Sequence, residues 1–412
     1  MNPKTLELSG FQNTGRPMTV SETHLKSPLR SDHTNPPDEL LELRARIDEY
    51  DHKILETLAA RDKIVRQVAE VKKRNGIPIR DKAREATILA ERREQCERLD
   101  LPSSTIESVY RVLLAASRDK QAQLGTEIPD NLASHTVGII GGNGGMGQLF
   151  AKLFKDAGQD VLIADVDTKM TAQQVTAASD AVLISVPIEK TTEVIRQIGT
   201  SCKKDSLIFD ITSTKTEPVD EMKKATCCEV IGLHPMFGPN THTLQEQRVV
   251  LVEGRVHADS NWKSWLSTCL TSRGLNLLET TAKEHDRAMG IVQVLTHLST
   301  EVTGLAMARL NVPVNETLEF ASPVYLVELL MTARHFGQDP DLYGAIHRAN
   351  PNRQEIAKAL ANSLSDWRQA VDSPDNDAFE ALFSEARKFF GSFSDRAMKE
   401  SAHLIDRVVE RR

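Results

Sequence analysis

Three groups of residues in this sequence have the types and spacing that chemistry requires. The first is a glycine-rich run, Gly141-Gly-Asn-Gly-Gly-Met-Gly147, set between the apolar Thr136-Val-Gly-Ile-Ile140 and the helical Gln148-Leu-Phe-Ala-Lys-Leu-Phe154. Gly142, Gly144 and Gly147 fit G-x-G-x-x-G. The first permits a tight turn, the second lets backbone approach a pyrophosphate, and the third allows helix and strand to pack closely. The N–H groups opening the next helix can face phosphates, and Met146 in this run is taken as cofactor-binding. Asp165 ends the following apolar run, roughly 20 residues further on, where an acid accepts both ribose hydroxyls of NAD and repels the extra phosphate of NADP. The alternative is a structural glycine turn with a surface aspartate, and Lys169 nearby weakens the choice against NADP.

The second group lies at strand ends. In an open parallel sheet, ligands collect beyond the carboxyl ends of the strands. Three runs end there in suggestive residues: Ser185-Val186-Pro187, Asp210-Ile-Thr-Ser-Thr-Lys215, and Gly232-Leu-His-Pro-Met-Phe-Gly-Pro239. His234 can accept a hydroxyl proton as hydride leaves the same carbon, and its reference pKa of about 6.5 suits the task. Ser213 can orient that hydroxyl, while Val186 and Pro187 border the dinucleotide. On position alone a histidine before proline is as readily structural. Arg334 sits in a largely apolar helical stretch and is expected to be half-buried beside an anion. That anion is either an internal acid, Asp341 or Glu328, or a substrate carboxylate.

The third group is basic: Arg44, Arg61, Lys72, Arg80 and Arg84. Arg61 and Lys72 share a helix face, because their separation falls about 20° past three full turns. Arg44 points about 100° away, towards a different pocket or another subunit's. Asp81 and Glu85 share a face with Arg84 beside them, and Ser117 and Gln121 repeat that spacing. The plain alternative is a solvated charged face.

The elements that must hold these groups follow from the periodicity. Residues 1–37 are polar and proline-bearing, lack the apolar core of a secretory signal, and read as a disordered tail. From 38 to 123 the apolar pattern is helical, with no glycine or proline between Pro37 and Gly76. A helix there is about 55 Å long at ~1.5 Å per residue. It is too long to bury its stripe within one small domain, so a second chain is expected to pair with it. Residues 124–135 read as a linker. Five strands are expected at 136–140, 161–164, 181–186, 206–209 and 229–233, the first few alternating with helices, and this α/β region spans 136–281. Residues 282–412 read as helical.

Composition narrows the partners. The net charge is −7 over 412 residues, against the basic face that nucleic acid requires. No apolar run reaches the length of about 20 residues that spans a bilayer. Five cysteines without C-x-x-C spacing point to reduced thiols in a cytoplasmic protein and to no metal site.

The stretch Gly232–Pro239, with Val137-Gly-Ile-Ile-Gly-Gly142 upstream and Ser322-Pro-Val-Tyr325 downstream, resembles the prephenate dehydrogenases from His135 to the C-terminus. The resemblance implies that His234 bonds the ring hydroxyl, Ser213 assists, Arg334 clamps a carboxylate of prephenate, and His285 lies near the substrate. Asn240 stands where that family has an acid. The helical region resembles the chorismate mutase domains fused ahead of such enzymes. Carried over, Arg44 of a partner chain, Arg61 and Arg84 bind the carboxylates of chorismate. Lys72 and Gln121 bond its ether oxygen and Glu85 its hydroxyl, with Asp81 and Ser117 lining the site.

The implied architecture is a multidomain α and α/β chain. It comprises an all-helical chorismate mutase domain, a Rossmann-type doubly wound parallel sheet and a C-terminal all-helical dimerisation domain. The implied function is bifunctional: chorismate to prephenate, then oxidative decarboxylation to 4-hydroxyphenylpyruvate with NAD, in a homodimer inhibited by tyrosine. The alternative is an arogenate dehydrogenase whose N-terminal helices are an inactive or sensing dimerisation module.

Overall fold

The computed structural model describes residues 37–75, 77, 79–124, 132–241 and 243–409. The tail expected at 1–37 lies outside them except for Pro37, as does most of the linker expected at 124–135.

Helix α1 (Asp38–Arg74) runs for 37 residues. Acids open it and Lys72, Lys73 and Arg74 close it, as the helix dipole favours. Ala69 is its one buried residue; Leu40, Leu43, Ile47, Ile54, Leu55, Ile64 and Val71 stay exposed in the single chain. Helix α2 (Lys82–Arg98) starts at Asp81, whose carboxylate accepts the Arg84 N–H at 2.9 Å. Helix α3 (Ser103–Leu124) follows Pro102 and packs against α2.

A seven-stranded sheet follows: β1 (Thr136–Ile140), β2 (Asp160–Ala164), β3 (Ala181–Ile184), β4 (Leu207–Asp210), β5 (Glu229–Pro235), β6 (Arg248–Arg255) and β7 (Asn276–Thr280). Their order is β2-β1-β3-β4-β5-β6-β7. Every pairing is parallel except β5 with β6. Parallel neighbours need crossovers, supplied by α4 (Gly145–Asp156), α5 (Ala172–Ala178), α6 (Ile188–Gly199) and α7 (Thr216–Ala225), with α8 (Trp262–Thr271) before β7. Alternate strand residues serve opposite faces. Val137, Ile139, Leu183 and Phe209 join Phe154 and Trp265 in one core; Ile140, Val182, Ile184 and Ile208 join Ile195 and Met222 in the other. Burial on both faces is why these strands read as unbroken apolar runs. Strands β6 and β7 were not among the five expected, because β6 is reached through a loop and β7 is a half-exposed edge strand.

The rest is helical: α9 (Ala282–Met289), a π-helical segment (Gly290–Leu295), α10 (Thr296–Leu310), α11 (Val314–Glu319), α12 (Pro323–Phe336), α13 (Pro340–Ala349), α14 (Arg353–Asp372), α15 (Asp377–Phe390) and α16 (Phe393–Val409). Leu305, Leu310, Phe320, Leu330 and Met331 on this region are exposed. Among the described residues no helix is long and apolar enough to cross a membrane, and all five cysteines are free.

Candidate active sites

The glycine-rich loop leaves β1 through Gly141, whose φ of 84° suits glycine. A Cβ on Gly142 would lie 2.6 Å from the Ile163 side chain, and one on Gly147 would lie 2.4 Å from the Gly141 carbonyl oxygen. Helix, loop and strand therefore approach as closely as backbones can. Gly144 differs: among the described residues its Cβ would meet nothing nearer than 3.5 Å, and it precedes the first turn of α4. The loop thus leaves an open cradle lined by backbone, which fits a pyrophosphate. Asp165 Oδ2 accepts the Asn143 N–H at 2.9 Å, and Asn143 Nδ2 donates to Asp167 Oδ1 at 2.8 Å. Two carboxylates thereby stand at the end of β2. Met146 is half-buried in the first turn of α4. Val186 and Pro187 follow β3, and Val186 packs against Gly141.

His234 lies near the carboxyl end of β5, next to the β4–α7 loop that bears Ser213. It is only 3% exposed. Its Nδ1 is 2.9 Å from His285 Nε2, and its Nε2 is 3.5 Å from Gln293 on the π-helical segment. His285 Nδ1 in turn lies 2.8 Å from Asp286 Oδ1. Burial, then the charges of His285 and Lys215, hold the His234 pKa well below its ordinary value, with Asp286 opposing. For Asp286, burial pushes the carboxyl up, but bonds from His285, Thr216 and Lys215 outweigh it and hold the pKa low.

Lys215 and Asp210 form a fully buried ion pair at 2.5 Å, and Lys215 Nζ also donates to the Leu233 carbonyl at 2.6 Å. Burial lowers the lysine pKa against the pull of Asp210. This pair fixes the loop beside His234 from behind. Ser213 is half-buried on that loop.

Arg334 departs from expectation. It is exposed on α12, and neither Asp341 nor Glu328 pairs with it; among the described residues its guanidinium makes no ion pair. Helix α12 packs against α10 and α16 and buries Leu329 and Thr332, whereas Arg334 lies exposed, as do Leu330 and Met331. A cluster absent from the sequence reading lies nearby. His335 and His347 each approach Glu301 at 3.1 Å, with His297 beside them. Burial, then His335 and His347, lowers the His297 pKa to about 4.

In the N-terminal helices, Lys72 Nζ donates to the Ile79 carbonyl at 2.5 Å. Glu85 receives Arg118 on one oxygen and Arg80 on the other. Arg80 also reaches Glu246 at 2.9 Å. Asp81 caps α2, so its spacing with Glu85 has a structural cause. Arg84 is exposed. Ser117 and Gln121 are buried one turn apart, Gln121 Nε2 donating to the Ser117 carbonyl at 3.1 Å; Gln121 Oε1 is buried without a partner among the described residues. Arg44 is exposed and Arg61 half-buried on α1. Arg118 was missed, although it shares a face with Gln121 three residues on. Asp286, adjacent to His285, was missed because sequence adjacency does not show which way a carboxylate points.

Known proteins match along most of the chain. The chorismate mutase type II family matches residues 43–122. The prephenate dehydrogenase nucleotide-binding domain matches 151–268, and its dimerization domain matches 281–385. The T-protein of Enterobacter agglomerans is 35% identical over 369 residues, covering 89% of this chain and 97% of that protein. The T-protein of Haemophilus influenzae is 31% identical, covering 90% and 97%. A prephenate dehydrogenase from A. aeolicus, solved in complex with hydroxyphenyl propionate and NAD+, shares the fold. It is 17% identical with a TM-score of 0.52, over 66% of this chain and 99% of that one. The chain therefore belongs to the T-protein family, the bifunctional chorismate mutase/prephenate dehydrogenases.

Proposed function

We propose that this chain rearranges chorismate to prephenate and then oxidatively decarboxylates prephenate to 4-hydroxyphenylpyruvate with NAD, as two steps of tyrosine biosynthesis. The observation that carries the second step is the buried His234 at the carboxyl end of the same sheet as the open glycine cradle. NAD bound there would supply the hydride acceptor for the ring carbon that bears the hydroxyl. His234 takes the hydroxyl proton through Nε2, and Ser213 orients the hydroxyl. The ring carboxylate then leaves as carbon dioxide, its electron pair makes the ring aromatic, and the ring oxygen takes the proton back from His234, so that no net proton is released. Gly142, Gly144, Met146 and Gly147 would hold the NAD pyrophosphate, Asp165 its ribose, and Val186 and Pro187 would border the dinucleotide. Arg334, which makes no ion pair among the described residues, is available for the side-chain carboxylate as a bidentate donor.

For the first step, Arg44 of a second copy, Arg61 and Arg84 bind the two carboxylates of chorismate. Lys72 and Gln121 face the ether oxygen, Glu85 the hydroxyl, and Asp81 and Ser117 line the pocket. The rearrangement is pericyclic and has no covalent step, so fixed charges matched to the polarised transition state suffice. The exposed apolar stripe of α1, together with that on α10 and α12, supports a homodimer. A cytoplasmic location and feedback inhibition by tyrosine complete the reading.

Two separate assays of the full chain test it. Loss of chorismate without NAD reports the mutase, and NADH formation from prephenate reports the dehydrogenase. Arogenate supplied in place of prephenate should give the slower rate. Turnover of arogenate alone would replace the substrate assignment, and a chain inert towards chorismate would reduce the N-terminal helices to a dimerisation module.

A further inference from the structure

Proton removal by His234 requires a lone pair on the nitrogen that faces the substrate, and the structure contains the means of fixing which nitrogen that is. Asp286 is 1% exposed and His285 2%. Asp286 Oδ1 lies 2.8 Å from both His285 Nδ1 and the Lys215 backbone nitrogen, and Oδ2 lies 2.9 Å from the Thr216 nitrogen. An ionised carboxylate only accepts, so the proton of a neutral His285 ring is on Nδ1. His285 Nε2 then carries a lone pair and must accept at 2.9 Å from His234 Nδ1. His234 is thereby fixed as the Nδ1–H tautomer, with Nε2 as its one acceptor.

We propose that His285 and Asp286 are positioning residues for the dehydrogenase step rather than substrate ligands, an inference that rests on the functional reading above. The hydroxyl proton arrives at His234 Nε2. The proton on His234 Nδ1 then crosses to His285 Nε2, whose ring becomes an imidazolium beside the Asp286 carboxylate. His234 ends neutral with its proton on Nε2, and the one proton gained is held one residue deeper until decarboxylation, when the reverse path returns it to the ring oxygen. The direction of transfer follows from the surroundings: a charge on His234 has no carboxylate in contact, whereas a charge on His285 has Asp286 at 2.8 Å. The titratable groups facing His234 are His285 and Asp286 on α9 and Lys215 on the β4–α7 loop, with Asp210 behind that lysine. The same carboxylate also ties down the Lys215 and Thr216 N–H groups, and with them the loop that presents Ser213.

The test uses Asp286→Asn and His285→Gln in the full chain. Removing the Asp286 charge should lower prephenate kcat by about 100-fold or more, as losing an orienting carboxylate behind a catalytic histidine does. NAD affinity and prephenate KM should stay within threefold. Because that charge stabilises the protonated form, its loss should also move the acid limb of the kcat profile to lower pH. A purely structural role would not move that limb. A kcat within threefold of wild type and an unmoved limb would overturn the proposal. If Asp286→Asn loses NAD binding because the amide disrupts the Thr216 contact, His285→Gln decides alone: the same kcat loss supports the relay, and an unchanged kcat overturns it. Imidazole nitrogen-15 shifts of the wild-type chain give a readout independent of turnover. Protonated His234 Nδ1 with bare Nε2 is expected, and the opposite tautomer would overturn the proposal. A wild-type chain giving no NADH from prephenate fails the functional reading itself, whatever the tautomers are.

Discussion

Alanine at Gly144 and at Gly147 should separate what the cofactor cradle owes to folding from what it owes to binding. At Gly144 the backbone has φ −67° and ψ 159°, a conformation any residue adopts, and a Cβ would meet nothing among the described residues closer than 3.5 Å. Gly144→Ala should therefore fold with a Tm within about 2 °C of wild type, the range of a surface change without strain. Yet its methyl, reaching about 1.5 Å from Cα, would occupy the space into which a pyrophosphate must come. Losing one or two N–H bonds to phosphate, at about 1.5–3 kcal/mol each, predicts NAD binding weakened roughly 10- to 10,000-fold. At Gly147 the same methyl would sit 2.4 Å from the Gly141 oxygen and 2.7 Å from Gly142 Cα. These are backbone atoms that cannot turn aside. Overpacking of this kind costs about 1–3 kcal/mol, so Gly147→Ala should lower Tm by on the order of 5 °C and weaken NAD as well. NAD titration by calorimetry, thermal melts without cofactor and the mutase rate make up the assay, and the mutase rate should be unchanged in both variants. Gly144→Ala binding NAD as tightly as wild type would refute the placement of the pyrophosphate.

Four further outcomes follow from the same geometry. Arg334→Ala should raise prephenate KM at least tenfold, because a charge-assisted contact contributes roughly 2–3 kcal/mol, and should spare NAD binding; an unchanged KM would remove Arg334 from the site. His234→Asn should lower kcat of the dehydrogenase with KM little altered, and equal losses of NAD binding would instead mark a folding defect. Lys72→Ala should abolish mutase turnover while NADH formation from supplied prephenate continues, and a retained mutase rate would contradict the assignment. Folding stability should fall on acidification. His234 lies well below 6.5 and His297 at about 4 in the folded chain, so below pH 6.5 the unfolded chain binds more protons. Their contribution is complete above about 6.5 and is lost as pH drops towards 4. A Tm that holds level from pH 7 to pH 5 would contradict this.

The legible features were those written in contiguous residues. The glycine spacing required only a strand, a turn and a helix in order, and His234 followed from an apolar run ending in His-Pro. The long first helix followed from an unbroken 3.6-residue period and the absence of glycine and proline. What stayed hidden depends on contacts between distant positions. His234 meets His285 across 51 residues and Lys215 meets Asp286 across 71, so neither the tautomer nor the clamp on the Ser213 loop has a local signature. The Asp210–Lys215 pair is only five residues apart, but burial decides its meaning, and burial comes from the sheet. Strand β6 broke the βα alternation by returning antiparallel. Arg334 was expected half-buried from its apolar neighbours, yet the side of α12 it occupies is free within one chain.

A progress curve from chorismate and NAD alone, supplied to the purified full chain, tests the central claim most directly. The account predicts NADH appearing after a short lag while prephenate accumulates, with 4-hydroxyphenylpyruvate and carbon dioxide formed in equal amounts. NADH that appears only when prephenate is added would show that the N-terminal helices do not supply the substrate of His234, and would contradict the account.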